Sequence, residues 1–515
     1  MNKSIKITGS LLAKNTALNF FAQIVPLIVA LVTIPYVIHG LGTERFGILS
    51  LIWVVIGYFS ILNMGLGQAT TKFVAEALGK EETERIPAIV WTSLTSQLLL
   101  GVLGCIILVL ATPTLVERVL NIPPDFIEEA KNTFYILSLS IPIVICSASL
   151  NGVLEAAQRF DLVNAVTVPS SCLNFLLPAI GIFLDLKLPG IVILLLILRA
   201  ATLGVYLILC FRVYPKIRQV LLIDTKMLRP LFSFGGWVTI SSILIPILVY
   251  IDRFFIGALY TIAAVGYYSV SYDMVSRLTI FSRSFSATLF PAFSTIESDK
   301  DKLKQLYARS FKYILLIMGP IVLVLIIFAG DILHVWLGGD WASETTLVFQ
   351  ILAIGMLIDG LSRMPANLFD GIGRADLRAK IYLLSVFIYV GLAWFLISKM
   401  GIMGAALAWT LRACLELSLF FSVAWKVIRL KRAIFMENGI LRGVMAYGGL
   451  VAITLFVIVI LGKTLLIQSI VTTICLSLFA LVTWRYVLDV EDKQPLFLAI
   501  KRTRGWGYRL NEFAK

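Results

Sequence analysis

Ten ionisable side chains lie inside stretches that are otherwise apolar, and their spacing limits what they can do. Asp252 and Arg253 are neighbours, while Asp273/Arg277, Asp359/Arg363 and Arg412/Glu416 each stand four residues apart. Arg283 follows Arg277 by six, and Arg199 has Leu203, not an acid, four residues on. Residues i and i+4 share a helix face, so each opposite-sign pair can neutralise itself. A charge at membrane depth costs about 3 kcal/mol or more, so it persists where it pairs, meets water or binds something. Six arginines against four carboxylates favour an anionic ligand. Arginine offers phosphate a planar fork of donors, and low dielectric strengthens the contact. Arg253 and Arg277 are therefore the candidate substrate contacts, although Arg253, near a helix end, also fits simple snorkelling. Asp359/Arg363 and Arg412/Glu416 fit structural bridges within the second half of the chain, and Arg199 a structural role in the first. On one continuous helix Arg283 would lie about 120° round from Arg277, toward another face or the inner mouth.

Two polar stripes accompany these charges. Around Arg277 stand Tyr267, Tyr268, Ser269, Ser271, Tyr272 and Ser276, too many hydroxyls for a lipid-facing helix, so this segment should line a watery cavity. Tyr268 and Tyr272 join the candidate substrate contacts. The first apolar stretch carries Asn15, Asn19, Gln23 and Pro26 on one face. Such amides either join helices by hydrogen bonds or meet sugar hydroxyls, and Asn19 and Gln23 are the better placed for the latter. No phosphate-cradling Gly-Lys loop or metal-ligand spacing occurs. The only histidines are His39 and His334, and all six cysteines fall in apolar stretches. The reading is of a binding and moving protein, not an enzyme, with no cofactor and no metal.

The elements that hold these groups are membrane helices. A soluble domain carries about 25% charged residues; here 14% are charged, 59% are hydrophobic and the mean hydropathy is +0.93. The apolar runs are continuous, not short and alternating, which excludes a β-barrel reading. Fourteen stretches approach the ~20 residues that span a bilayer as helix. Lys3, Lys6 and Lys14 precede residues 15–38, too long a stretch for a signal-peptide core, so it reads as the first span. With the N-terminus inside, most of the 44 Lys and Arg fall on inner segments and no outer loop holds more than two. That asymmetry puts both termini in the cytoplasm and explains the +14 charge as topology and lipid attraction, not as a nucleic-acid footprint. The segment from Gly65 to Arg85 alternates charges with Phe73, Val74 and Leu78, which predicts an amphipathic interfacial helix.

The chain also repeats itself. Glu155-Ala-Ala-Gln-Arg159-Phe-Asp161-Leu162 returns after 215 residues as Asp370-Gly-Ile-Gly-Arg374-Ala-Asp376-Leu377. Leu198-Arg199-Ala200 returns as Leu411-Arg412-Ala413, and Gly47-Ile-Leu-Ser50 as Gly266-Tyr-Tyr-Ser269. Equivalent points lie six spans apart, so the halves enter the membrane the same way round. The expected architecture is an all-α polytopic membrane protein of about fourteen transmembrane helices. It comprises a six-helix lobe at 1–212, a cytoplasmic linker at 213–230, a second six-helix lobe at 231–430, and two extra helices with a basic tail at 431–515.

Leu41-Gly42-Thr-Glu44-Arg-Phe46-Gly47, Asn63-Met-Gly65-Leu-Gly67-Gln68-Ala69, Asp252-Arg253-Phe-Phe-Ile-Gly257 and Val265-Gly266-Tyr-Tyr268 together resemble the Wzx-like polysaccharide transporters. These belong to the multidrug/oligosaccharidyl-lipid/polysaccharide exporter superfamily, and the resemblance covers about residues 10–485. It implies two lobes around a central cavity lined by spans one, two, seven and eight. It also implies alternating access, and movement of a polyprenyl-diphosphate-linked oligosaccharide to the outer leaflet of the cytoplasmic membrane. Partners implied are that glycan lipid, membrane lipids, a polysaccharide polymerase and a chain-length regulator. Coupling to a cation gradient would run through Asp252 or Asp273. The lipid II flippase branch shares cationic cavities and two extra C-terminal spans; this chain's first span is amide-rich and lacks arginine. A cation-coupled drug antiporter on the same fold would need a cavity lined by carboxylates, against the arginine excess here. A membrane glycan polymerase or glycosyltransferase would need a large outer loop or a cytosolic domain with acidic metal ligands, and every loop is short.

Overall fold

The structure, a computed structural model, describes residues 9–59, 66–219, 222–295, 299–430, 434, 436, 439–462, 464–489 and 492–493. It omits the side chains of 9–23, 229–243, 245, 287–288, 290–292, 294–295 and 375. Among the described residues every regular element is helical. Long runs of Leu, Ile and Val in lipid leave no water for backbone groups, so the backbone must satisfy itself within each segment. Ten segments of the described residues are long and apolar enough to cross a membrane.

The first compact unit comprises Met1–Val270 with Val390–Ala405. It holds α1 (Gly9–Phe59), α2 (Leu66–Gly79), α3 (Ile86–Thr114), α4 (Ile127–Ser138), α5 (Ser140–Ala156), α6 (Phe160–Phe183), α7 (Leu188–Val213), the short α8 (Lys216–Gln219), α9 (Leu228–Leu259) and the start of α10 (Ile262–Ser276). The helix α2 is amphipathic, as its sequence suggests. It exposes Lys72 and Glu76 but buries Leu66, Ala69, Thr70, Val74 and Ala77 against apolar residues such as Ile89, Leu150 and Val153. Thr70 Oγ1 lies 2.6 Å from Ser93 Oγ and 2.9 Å from Ser149 Oγ, a buried hydroxyl knot joining α2, α3 and α5.

The second unit comprises Ser271–Tyr389 with Ala406–Lys515. It contains α11 (Thr279–Thr295), α12 (Lys300–Ile327), α13 (Ala329–Leu337), α14 (Gly339–Gly371), most of α15 (Ala375–Val427), α16 (Ile440–Leu461) and α17 (Leu465–Val482). An apolar cluster of Leu323, Leu450, Ile458, Val471 and Phe479 ties α16 and α17 to α12.

At ~1.5 Å per residue the 53 residues of α15 would reach about 80 Å, far beyond a ~30 Å hydrocarbon core. The chain turns inside it at Gly401, whose φ of 56° and ψ of −133° suit glycine alone. A Cβ added at Gly404 would stand 2.1 Å from the carbonyl oxygen of Leu396, so the two limbs fold back in backbone contact. Gly404→Ala should therefore force the limbs apart and lower stability by about 2 kcal/mol. The melting temperature of the solubilised protein should fall by several degrees, whereas Gly391→Ala, with open space around it, should leave it unchanged. The same device divides α1 at Gly42 (φ 76°, ψ 171°).

The repeated sequence has a repeated local geometry. After α5, Gln158 takes φ 57°, Arg159 N–H donates to Leu154 O at 3.0 Å, and the Arg159 guanidinium pairs with Asp161 at 2.9 Å. After α14, Gly373 takes φ 70°, Arg374 N–H donates to Phe369 O at 2.7 Å, and Arg374 pairs with Asp376 at 2.9 Å. A left-handed residue thus closes each helix, and an Arg-x-Asp bridge opens the next.

Candidate functional site

The sequence-selected residues form two constellations, each inside one unit. In the first, α9 presents Asp252 and Arg253, both buried. Tyr268 Oη on α10 donates to Asp252 Oδ2 at 2.5 Å, and Arg253 N–H donates to Asp252 Oδ1 at 2.8 Å. Arg253 is 2% exposed. Its Nε donates to Ser269 Oγ at 3.1 Å and its Nη1 to Val249 O at 3.1 Å. Its Cζ lies 5.7 Å from the Tyr250 ring centroid and 5.9 Å from that of Tyr268, close enough for cation–π attraction. Hydrogen bonds and aromatic rings thus enclose this guanidinium, and its bonds join α9 to α10. Tyr58 extends the aromatic set, edge-on to Phe254 at 5.0 Å, and its buried hydroxyl has no hydrogen-bond partner among the described residues. Nothing in the spacing of the first half pointed to Tyr58. The side chains of Asn19 and Gln23 lie outside the described residues.

The second constellation gathers the selected charges of the second unit. Arg363 donates to Asp359 Oδ2 from Nε at 3.0 Å and from Nη2 at 2.9 Å. Arg412 Nη1 donates to Glu416 Oε1 at 2.7 Å, and its Cζ lies 4.9 Å from the Trp409 ring and 5.5 Å from that of Tyr389. Two of the three expected i,i+4 bridges therefore form, and Glu416 is also within electrostatic reach of Asp359 and Arg363. Tyr272 packs edge-on to Trp409 at 5.7 Å, against this cluster. Arg199, the repeat partner of Arg412, bonds Ser140 Oγ at 2.9 Å instead of an acid.

Asp273 and Arg277 behave differently. α10 ends at Ser276, and Arg277 stands in the turn before α11, so the i,i+4 geometry is lost. Arg277 is exposed while Asp273 is half-buried. The same break resets the helix register. Arg283 is not 120° away on a continuing helix; it lies on α11, exposed, within electrostatic reach of Arg277, Asp359, Arg363 and Tyr272. Neither Arg277 nor Arg283 has a carboxylate bridge among the described residues. Beside them Asn367 Nδ2 donates to Ser286 Oγ at 2.7 Å. The arrangement offers two guanidinium groups without a carboxylate bridge among the described residues, beside the bridged Arg363.

A further charge escaped the sequence reading. Lys312 on α12 is fully buried and donates to Asp492 at 2.5 Å, and the Tyr313 hydroxyl donates to the same carboxylate. Burial alone pushes the Asp492 carboxyl up, but the bonds from Lys312 and Tyr313 outweigh it and hold the group below its usual range. Its stabilisation is therefore present above the ordinary carboxylate pKa and fades only as pH falls through the lower folded value. Partners 180 residues apart leave no local spacing to read.

The family model for polysaccharide biosynthesis proteins matches residues 12–297, more than half of the chain. The chain belongs to this family. As a family member it is 26% identical to the putative O-antigen transporter of Shigella flexneri over 405 residues, 78% of this chain and 95% of that protein. Among solved structures it resembles the lipid II flippase MurJ in an inward closed conformation, with TM-score 0.73 and 15% identity over 92% of this chain and 99% of that one. It also resembles an inward-facing multidrug resistance MATE family transporter of the MOP superfamily, with TM-score 0.69 and 17% identity over 79% and 94% of the two chains. At these identities the structural likenesses establish the fold: a multi-span, all-helical membrane protein.

Proposed function

We propose that this polysaccharide biosynthesis family member is a flippase. It carries polyprenyl-diphosphate-linked oligosaccharide, the repeat unit of a surface polysaccharide, from the cytoplasmic to the outer leaflet by alternating access. No bond is made or broken. The reading uses fourteen spans with both termini cytoplasmic: parallel six-helix repeats at 1–212 and 231–430 around a central cavity, a linker at 213–230, and two added helices in 431–515. A polymerase and a chain-length regulator would receive the delivered unit.

One observation carries the substrate class. In the second constellation both deeply placed acids, Asp359 and Glu416, are already bridged by arginine, while Arg277 and Arg283 have no carboxylate bridge among the described residues. An organic cation finds no free carboxylate in that pair of bridges; a diphosphate finds two guanidinium forks. We assign diphosphate recognition to Arg277 and Arg283, with Arg363 adjoining. Arg253, Asp252 and Tyr268 hold α9 to α10. Asp273, half-buried on α10, is the acid we assign to ion coupling.

Expression in a strain lacking its own flippase tests the reading. The chain should restore surface polysaccharide and give no resistance to cationic dyes. Dye resistance without polysaccharide would support a drug antiporter and sink the flippase reading.

A further inference from the structure

We infer that the turn joining α9 to α10, closed against α1 through the repeat-equivalent glycines Gly47 and Gly266, is the outer gate of the transport path, with Asn121 as its latch. The inference rests on the flippase reading for the word outer. The loops concerned, 39–46, 113–131 and 256–264, are among the Lys/Arg-poor ones that the charge asymmetry assigns to the outer side.

The contact is backbone on backbone. A Cβ built on Gly47 would stand 2.0 Å from Ile262 O, and one on Gly266 would stand 3.5 Å from Gly47 N and 3.6 Å from Gly47 Cα. Gly47 and Gly266 are the same position of the duplicated half, 219 residues apart. In a chain of two parallel repeats, equivalent positions meet at the axis relating the repeats, where a central path runs. The close approach continues along both helices. A Cβ on Gly57 would fall 2.4 Å from the Tyr250 ring, and one on Gly257 would fall 3.1 Å from Leu120 and 3.7 Å from Leu51. Small residues let helices meet without interlocking side chains, so such a seam can part without repacking a core.

Asn121 fastens the seam. Its backbone N–H donates to Gly257 O at 2.8 Å, and its Nδ2 donates to Ala258 O at 2.9 Å and Tyr260 O at 3.0 Å. These are carbonyls that the end of α9 leaves without helical partners. The Asn121 side chain is exposed, so water can replace its bonds when the seam opens. On the far side of the turn, the Tyr260 ring lies 3.1 Å from where a Cβ of Gly401 would stand, and Phe255 meets Trp394 edge-on at 5.3 Å. The turn is thus backed by the bend of α15 and faces α1 and residues 120–122.

Cysteine protection tests the gate. Val265 is fully buried in the closed seam, so Val265→Cys in intact cells should react slowly with a membrane-impermeant maleimide, measured above the parent's native-cysteine background. Adding Asn121→Ala or Gly47→Ala should raise that rate by about tenfold, as the open population grows. Val153→Cys, buried in the core shared by α2, α3 and α5, should stay protected in both backgrounds. If the Val265→Cys rate stays at the parent value in either variant, or if Val153→Cys becomes equally reactive, the seam is ordinary helix packing and the inference is overturned. Labelling needs no substrate, so it is independent of the flippase reading, which the polysaccharide assay on the same cells decides separately.

Discussion

Replacing both Arg277 and Arg283 by alanine should cut surface-polysaccharide export by about a hundredfold or more, with the protein still present at wild-type abundance. A charge-assisted hydrogen bond contributes about 1.5–3 kcal/mol. Losing two such contacts to one diphosphate removes at least about 3 kcal/mol, and each 1.4 kcal/mol is tenfold. Both side chains are exposed and have no carboxylate bridge among the described residues, so their removal strands no buried acid and should leave stability nearly unchanged. Lysine at both positions should rescue in part, because it keeps the charge and loses the fork. Full export by the double alanine variant would remove these arginines from the site.

The second large effect is on stability. Arg412→Met should deplete folded protein in the membrane, because Glu416 is 1% exposed and would be left as a buried charge without its partner. Breaking one side of a buried pair costs about 3–5 kcal/mol, whereas replacing both by apolar groups is often neutral. The double variant Arg412→Met with Glu416→Leu should therefore recover the abundance and melting temperature that the single variant loses. A single variant as stable as the parent would show that the bridge does not hold these helices. Arg199 predicts a smaller effect, since its loss frees only a hydroxyl, that of Ser140.

What the sequence could show was whatever is local or periodic. The two i,i+4 bridges were legible because both partners lie within one uninterrupted helix, and the Arg-x-Asp turns because the duplicated sequence repeats them. The Asp273/Arg277 pair was not, because nothing in Ser276-Arg277-Leu278-Thr279 marks a helix break as a proline or glycine would. That one break also misplaced Arg283, whose position was read off a continuous helix. α2 was legible as amphipathic, but the contact of its buried Thr70 with Ser93 and Ser149 was not, because partners that distant have no signature in spacing. Lys312 and Asp492 were invisible for the same reason. Arg253 was legible as unusual but not as enclosed, since Ser269 and Val249 O reach it only once α9 and α10 pack.

The central claim is that this chain moves a lipid-linked diphosphate by means of Arg277 and Arg283 of the second constellation. The most direct test is transbilayer movement of a labelled polyprenyl-diphosphate oligosaccharide in liposomes containing the purified protein. The account predicts that the wild-type protein speeds movement well above protein-free liposomes. The Arg277→Ala/Arg283→Ala variant should not, and neither protein should move the same saccharide on an uncharged polyprenyl chain. Equal rates for the charged and uncharged lipids, or for wild type and variant, would contradict it.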